Sequence, residues 1–122
     1  MKTEQADIVI VGGGLVGLTF ACLMAQHDCR IHVIDRALPP EAFCDDTPIQ
    51  GRIHAYNLAS QAMLESIGIW SNIPSKYCAP FECMAVTAEG DRPTLNIHAN
   101  DIQQSYLGHF LPSPVVQHLL YQ

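Results

Sequence analysis

Apolar positions fall into short runs and periodic stretches, and each implies an element. Residues 8–11 read Ile-Val-Ile-Val, a continuous β-branched run of the kind found in strands buried on both faces. Leu15, Leu18, Ala21, Cys22 and Ala25 then recur at helical spacing, and Ile31, Val33 and Ile34 mark a second strand. Asp28 stands where such a helix end often has Gly, so mild left-handed strain is expected there. The sequence Ala37-Leu38-Pro39-Pro40-Glu41 breaks regular structure and opens a long polar loop. Residues 51–55 lead into a second helix, with Asn57 as N-cap, Leu58, Met63, Leu64 and Ile67 as its apolar stripe, and Gly68 at C′. Ile69 and Trp70 are placed to pack back on it. Segments 81–88 and 94–98 read as a hairpin turned at Glu89-Gly90-Asp91-Arg92-Pro93, with Leu95 and Ile97 on one face. Phe110-Leu111 reads as a short strand, Ser113 as a cap, Pro114 as N1, and 115–121 as a last helix.

The turn between the first strand and helix carries chemistry. Gly12, Gly14 and Gly17 have the spacing of a dinucleotide-binding βαβ unit. Gly12 permits the tight turn, Gly14 lets backbone approach a pyrophosphate, and Gly17 allows close packing of the helix. The helix N-terminus supplies free N–H groups and a positive dipole end. Asp35 follows Gly14 by 21 residues, at the end of the second strand, where a carboxylate accepts from ribose hydroxyls and repels a 2′-phosphate. The expected fold class is α/β: a partial Rossmann-like βαβ FAD/NAD(P)-binding domain with an appended antiparallel hairpin.

Composition narrows the picture. The 122 residues suffice for one domain or part of one, with 48% hydrophobic content and a net charge of −6. No basic cluster favours nucleic acid. The apolar stretch 15–25 is too short to cross a bilayer, and the acidic N-terminus does not read as an export signal, which points to the cytoplasm. Cys22, Cys29, Cys44, Cys78 and Cys83 form no C-x-x-C pair, so free thiols and no metal site are expected. His27 and His32 read as surface or packing residues.

These residues also suggest a family. The glycine motif with Asp35-Arg36, then the stretch from Gly51-Arg52-Ile53-His54-Ala55 through Asn57-Leu58-Ala59-Ser60, resembles the flavin-dependent aromatic hydroxylases. The likeness is greatest to their ubiquinone-biosynthesis branch, through Leu64-Glu65-Ser66-Ile67-Gly68-Ile69-Trp70 and Leu107-Gly108-His109-Phe110-Leu111 with Val115-Val116-Gln117. The resemblance spans nearly all of the chain but only the first part of such an enzyme. It implies that Gly12, Gly14 and Gly17 cradle the FAD pyrophosphate, that Asp35 binds the adenosine ribose, and that Arg36 lies beside the adenine. It further implies that Arg52 contacts the phosphate or ribityl region and that Gln117 reaches FAD from the other side. Pro112-Ser113-Pro114 departs from the Glu-Asn or Arg common at the last helix, and His54 stands where some relatives carry a second Arg. The family's later Asp-Gly and Gly-Asp motifs are not in this sequence.

The implied activity is monooxygenation: NAD(P)H reduces FAD, and O₂ is then used to hydroxylate an electron-rich polyprenylphenol or quinol-type aromatic in ubiquinone biosynthesis. Residues 1–80 and 105–122 would form the nucleotide-binding portion, and about 81–104 a hairpin of the substrate-side sheet. No residue reads as a catalytic acid, base or nucleophile, and the chain alone is expected to bind FAD weakly and not turn over. Peripheral membrane association or a biosynthetic complex of the full enzyme is implied by a polyprenylated substrate. The alternatives are another FAD- or NAD-dependent oxidoreductase on the same βαβ unit, or a truncated, non-catalytic nucleotide-binding fragment.

Overall fold

In the computed structural model, residues 5–37, 51–87, 90 and 93–122 are described. The chain opens with a βαβ unit: strand β1 (Ile8–Val11), helix α1 (Leu15–Met24) and strand β2 (Ile31–Ile34). β1 and β2 are parallel, in register from Ile8 opposite Ile31 to Val11 opposite Ile34. Asp7 and Arg30 clamp the entrance to both strands. The Asp7 carboxylate accepts from the Arg30 backbone N–H at 2.8 Å and from its guanidinium at 3.2 Å.

β1 is not buried on both faces as its composition suggests. Ile8 and Ile10 are half-buried, whereas Val9 is 55% and Val11 85% exposed. Among the described residues nothing packs over that side, so the apolar run has a partner on one face only. Asp28 also departs from expectation. Gln103, at φ 55, is the one non-glycine residue with positive φ among those described, so Asp28 carries no left-handed strain. The expected loop falls largely in residues 38–50, outside the described residues.

Residues 53–57, expected only to lead into a helix, form strand β3 (Ile53–Asn57). Helix α2 (Leu58–Ser66) follows directly. Asn57 caps it, its side-chain oxygen accepting from the Ser60 N–H at 2.8 Å. Its end is a Schellman motif: Gly68 sits at φ 76, its N–H bonds the Glu65 carbonyl, and the Ile69 N–H reaches back to Leu64. Ile69 and Trp70 pack against the core, as expected.

The described residues form two further sheets. β3, β4 (Ala79–Phe81) and β7 (Gly108–Pro112) form an antiparallel sheet with β7 in the middle. Gly108 is needed there, because a Cβ would overlap the Tyr56 carbonyl and lie 3.0 Å from the Phe81 ring. β5 (Cys83–Thr87) and β6 (Pro93–His98) are the expected hairpin, forming their own two-stranded sheet. Its first strand starts two residues later than the pattern suggests, because Phe81 belongs to β4. Of the expected turn, residues 89, 91 and 92 lie outside those described, and Pro93 begins β6.

Helix α3 (Ser113–Leu120) is the centre of the core. Val115, Val116, Leu119 and Leu120 are buried, and they meet Leu18 of α1, Leu64 of α2, Ile73 and Leu111. Each such side chain stabilises the fold by roughly 1.5–3 kcal/mol on full burial. Pro112, not Ser113, occupies the N-cap position, and no side chain caps this helix. The Ser113 hydroxyl is drawn elsewhere, to the Arg52 carbonyl.

Candidate functional site

The candidate site is the loop where β1 gives way to α1. Its glycines are glycine for different reasons. Gly12 has φ 117, a backbone state that side chains rarely adopt. A Cβ on Gly17 would overlap the Gly12 carbonyl oxygen and stand 3.2 Å from the Ile10 side chain. Gly13 is buried, and a Cβ there would lie 2.6 Å from the Tyr121 hydroxyl. Gly14 differs from all three. It has ordinary extended geometry (φ −79, ψ −176), and among the described residues a Cβ on it would meet nothing within 4 Å. Among the described residues, neither a positive φ nor internal packing demands a glycine at this position. It borders open space at the start of α1, whose first turn has no side-chain cap and no acidic residue. The first N–H groups of α1 therefore lack side-chain partners, with the positive end of the helix dipole behind them.

Asp35 leaves β2 beside this loop. One carboxylate oxygen accepts the Gly13 N–H at 2.5 Å, and the other accepts the Ala37 N–H at 2.7 Å. These N–H donations, from Ala37 and then Gly13, hold the exposed carboxyl below its usual 3.8. The charge is thus fixed in direction while each oxygen keeps a free lone pair for a further donor. Arg36 follows in an exposed bend.

Gln117 and Tyr121 reach the same loop from α3. The Gln117 side-chain nitrogen donates to the Gly13 carbonyl at 3.0 Å, and the Tyr121 hydroxyl donates to the same oxygen at 3.2 Å. Arg52 lies apart, at the other end of α3, its guanidinium exposed and its carbonyl accepting from Ser113. Gly12, Gly14, Gly17, Asp35 and Gln117 therefore converge on one loop, Arg36 borders it, and Arg52 is linked to it through a helix. Pattern reading misses Gly13 and Tyr121. The available signals were the third glycine in the run and the spacing of Gln117 and Tyr121, four apart and so on one helix face.

A separate apolar groove of about 580 Å³ runs along the other flank of α1, lined by Val16, Phe20 and Leu23 with Ala55, Met63 and Leu64. It does not include the glycine loop or Asp35. Among the described residues, no group of His, Cys, Asp and Glu could hold a metal ion, and no helix is long and apolar enough to cross a membrane.

This geometry has relatives. A family model for an NAD(P)-binding Rossmann-like domain matches residues 10–65. The 3-demethoxyubiquinol 3-hydroxylase of Escherichia coli (strain K12) is 31% identical over 122 residues, covering 100% of this chain and 31% of that enzyme. The ubiquinone hydroxylase UbiL of Rhodospirillum rubrum is 45% identical over 67 residues, 55% of this chain and 15% of that protein. Among solved structures, the flavin-dependent monooxygenase PieE, in complex with FAD and substrate, matches with a TM-score of 0.65 at 18% identity, covering 99% of this chain and 22% of that one. The chain thus spans less than a third of the length of these curated relatives. Its curated relatives thus include proteins named as ubiquinone hydroxylases, and it shares a mixed α/β, Rossmann-like fold with part of a flavin-dependent monooxygenase.

Proposed function

We propose that this chain is the FAD-binding portion of a flavin-dependent monooxygenase that hydroxylates a polyprenylphenol or quinol-type aromatic in ubiquinone biosynthesis. The observation that carries the reading is Gly14, which leaves the backbone open to an external group at the uncapped start of α1 beside an oriented Asp35. A pyrophosphate fits that place: the α1 N–H groups would bind it, and Gly12 and Gly17 shape the turn that presents them. Asp35 would accept from the adenosine ribose, Arg36 would flank the adenine, and Arg52 would meet the phosphate or ribityl region. The names of the homologues support the aromatic substrate.

FAD supplies redox and oxygen chemistry when bound, with NAD(P)H as reductant and O₂ as co-substrate. The residues named above would bind and orient it. Residues 1–80 and 105–122 serve the nucleotide, and the hairpin within 81–104 faces the substrate side. A polyprenyl tail partitions into the bilayer, so the enzyme works at the cytoplasmic face of the membrane, held peripherally or within a biosynthetic complex.

The match of residues 10–65 to an NAD(P)-binding model favours a second reading, in which the loop takes a nicotinamide dinucleotide. Parallel titrations with FAD and NAD⁺, read by intrinsic fluorescence, separate the two. The proposal expects FAD to bind at least tenfold more tightly, about 1.4 kcal/mol. Tighter binding of NAD⁺ would replace it with the second reading.

A further inference from the structure

We infer that α3 is a strut that sets the spacing between the two halves of this cradle, with Gln117, Tyr121 and Ser113 as its positioning residues. The inference rests on the FAD reading above.

At one end, Gln117 and Tyr121 both donate to the Gly13 carbonyl, at 3.0 and 3.2 Å. A trans peptide is planar, and its C=O and N–H point in opposite directions. Holding the Gly13 carbonyl toward α3 therefore aims the Gly14 N–H away from α3. The preceding peptide is fixed in the same way. The Gly13 N–H is held by Asp35, and the Gly12 carbonyl faces Gly17. Two consecutive peptides of the loop are thus set by groups outside it.

At the other end, the Ser113 N–H and hydroxyl both donate to the Arg52 carbonyl at 2.8 Å. The His54 Nδ1 lies 2.6 Å from the same hydroxyl. The Ser113 hydroxyl thus ties the Arg52 carbonyl and the His54 ring to the first turn of α3. Gly51 packs so closely on the first turn of α3 that a Cβ would lie 2.7 Å from the Pro114 ring. Between these ends α3 cannot slide, because Val115, Val116, Leu119 and Leu120 are buried in the core. At 1.5 Å per residue, Ser113 stands about 6 Å along the axis from Gln117 and about 12 Å from Tyr121. α3 thus fixes the distance between the glycine loop and the Arg52 segment.

The test uses the chain with the double variant Gln117→Met/Tyr121→Phe, the variant Ser113→Ala, and Asn57→Ala, which removes the α2 cap, as a stability control. FAD and ADP are both titrated, since ADP occupies only the glycine-loop side. The double variant should weaken both ligands about tenfold, as expected for two lost hydrogen bonds. Ser113→Ala should weaken FAD and leave ADP unchanged. Asn57→Ala should lower the melting temperature yet leave both affinities within about twofold. Without ligand, the double variant should shift the Gly13 carbonyl and Gly14 amide NMR resonances. Unchanged affinities and resonances in the double variant would overturn the strut, as would an Asn57→Ala loss equal to that of the double variant. If the unaltered chain binds no FAD, the function proposed above fails, and the ligand-free resonances alone decide whether α3 sets the loop.

Discussion

Gly14 and Gly17 lie three residues apart and are glycine for opposite reasons. Among the described residues nothing packs where a Gly14 Cβ would stand, whereas Gly17 presses on the Gly12 carbonyl. Gly17→Ala forces backbone to move and should cost about 1–3 kcal/mol, read from urea melts. Asp35 gives a second test. Its folded pKa lies below the ordinary 3.8, so on acidification the unfolded chain takes up the proton first. Its stabilising effect is therefore present above that value and fades as pH falls through the folded one. Asp35→Asn should remove this part of the acid-induced loss in melts from pH 7 to 3, and identical acid limbs in the two proteins would count against an oriented carboxylate. Local rules made these residues visible in the sequence, because motif spacing fixes which glycines and which carboxylate matter. Gly13 and Tyr121 were not visible. Their roles come from a contact between residues 108 apart, and no local pattern encodes it.

Elements with local signals were read well, and elements defined by distant partners were not. Asn57 and Gly68 delimit α2 by short-range hydrogen bonds, and both ends lie where the pattern places them. β3 was missed because its pairing partner, β7, lies some fifty residues further on and Ile53 is 66% exposed, so no alternation betrays it. The cap of α3 is displaced for a similar reason: Ser113 serves Arg52 instead of its own helix. The two kinds of stabilisation differ in size. Asn57→Ala should cost about 1 kcal/mol. Leu111→Ala, at a fully buried position in β7, should cost about 2–5 kcal/mol. Thermal and urea unfolding of the two variants should preserve that order, and a reversal would mean that α2, not the packing around α3, dominates the core.

On the scale of the whole molecule, the core gathers around α3 while one side of the βαβ unit stays open. Val11 and Val16 are each 85% exposed, and the groove beside α1 is apolar. The chain should therefore bind a hydrophobic dye such as ANS while fully folded. Met63→Lys, on the rim of the groove, should reduce that binding and shift stability by no more than about 0.5 kcal/mol. An unchanged dye signal would place the apolar surface elsewhere. The central claim concerns the N-terminal end of α1, where Gly14 leaves room for a pyrophosphate. The most direct test is to pass the purified chain through a gel-filtration column equilibrated with FAD, so that weak binding is kept, and follow excess flavin absorbance across the protein peak, with Gly14→Val alongside. The account predicts flavin co-eluting with the unaltered chain and lost from the equally folded variant. Flavin retained equally by both, or by neither, would contradict it.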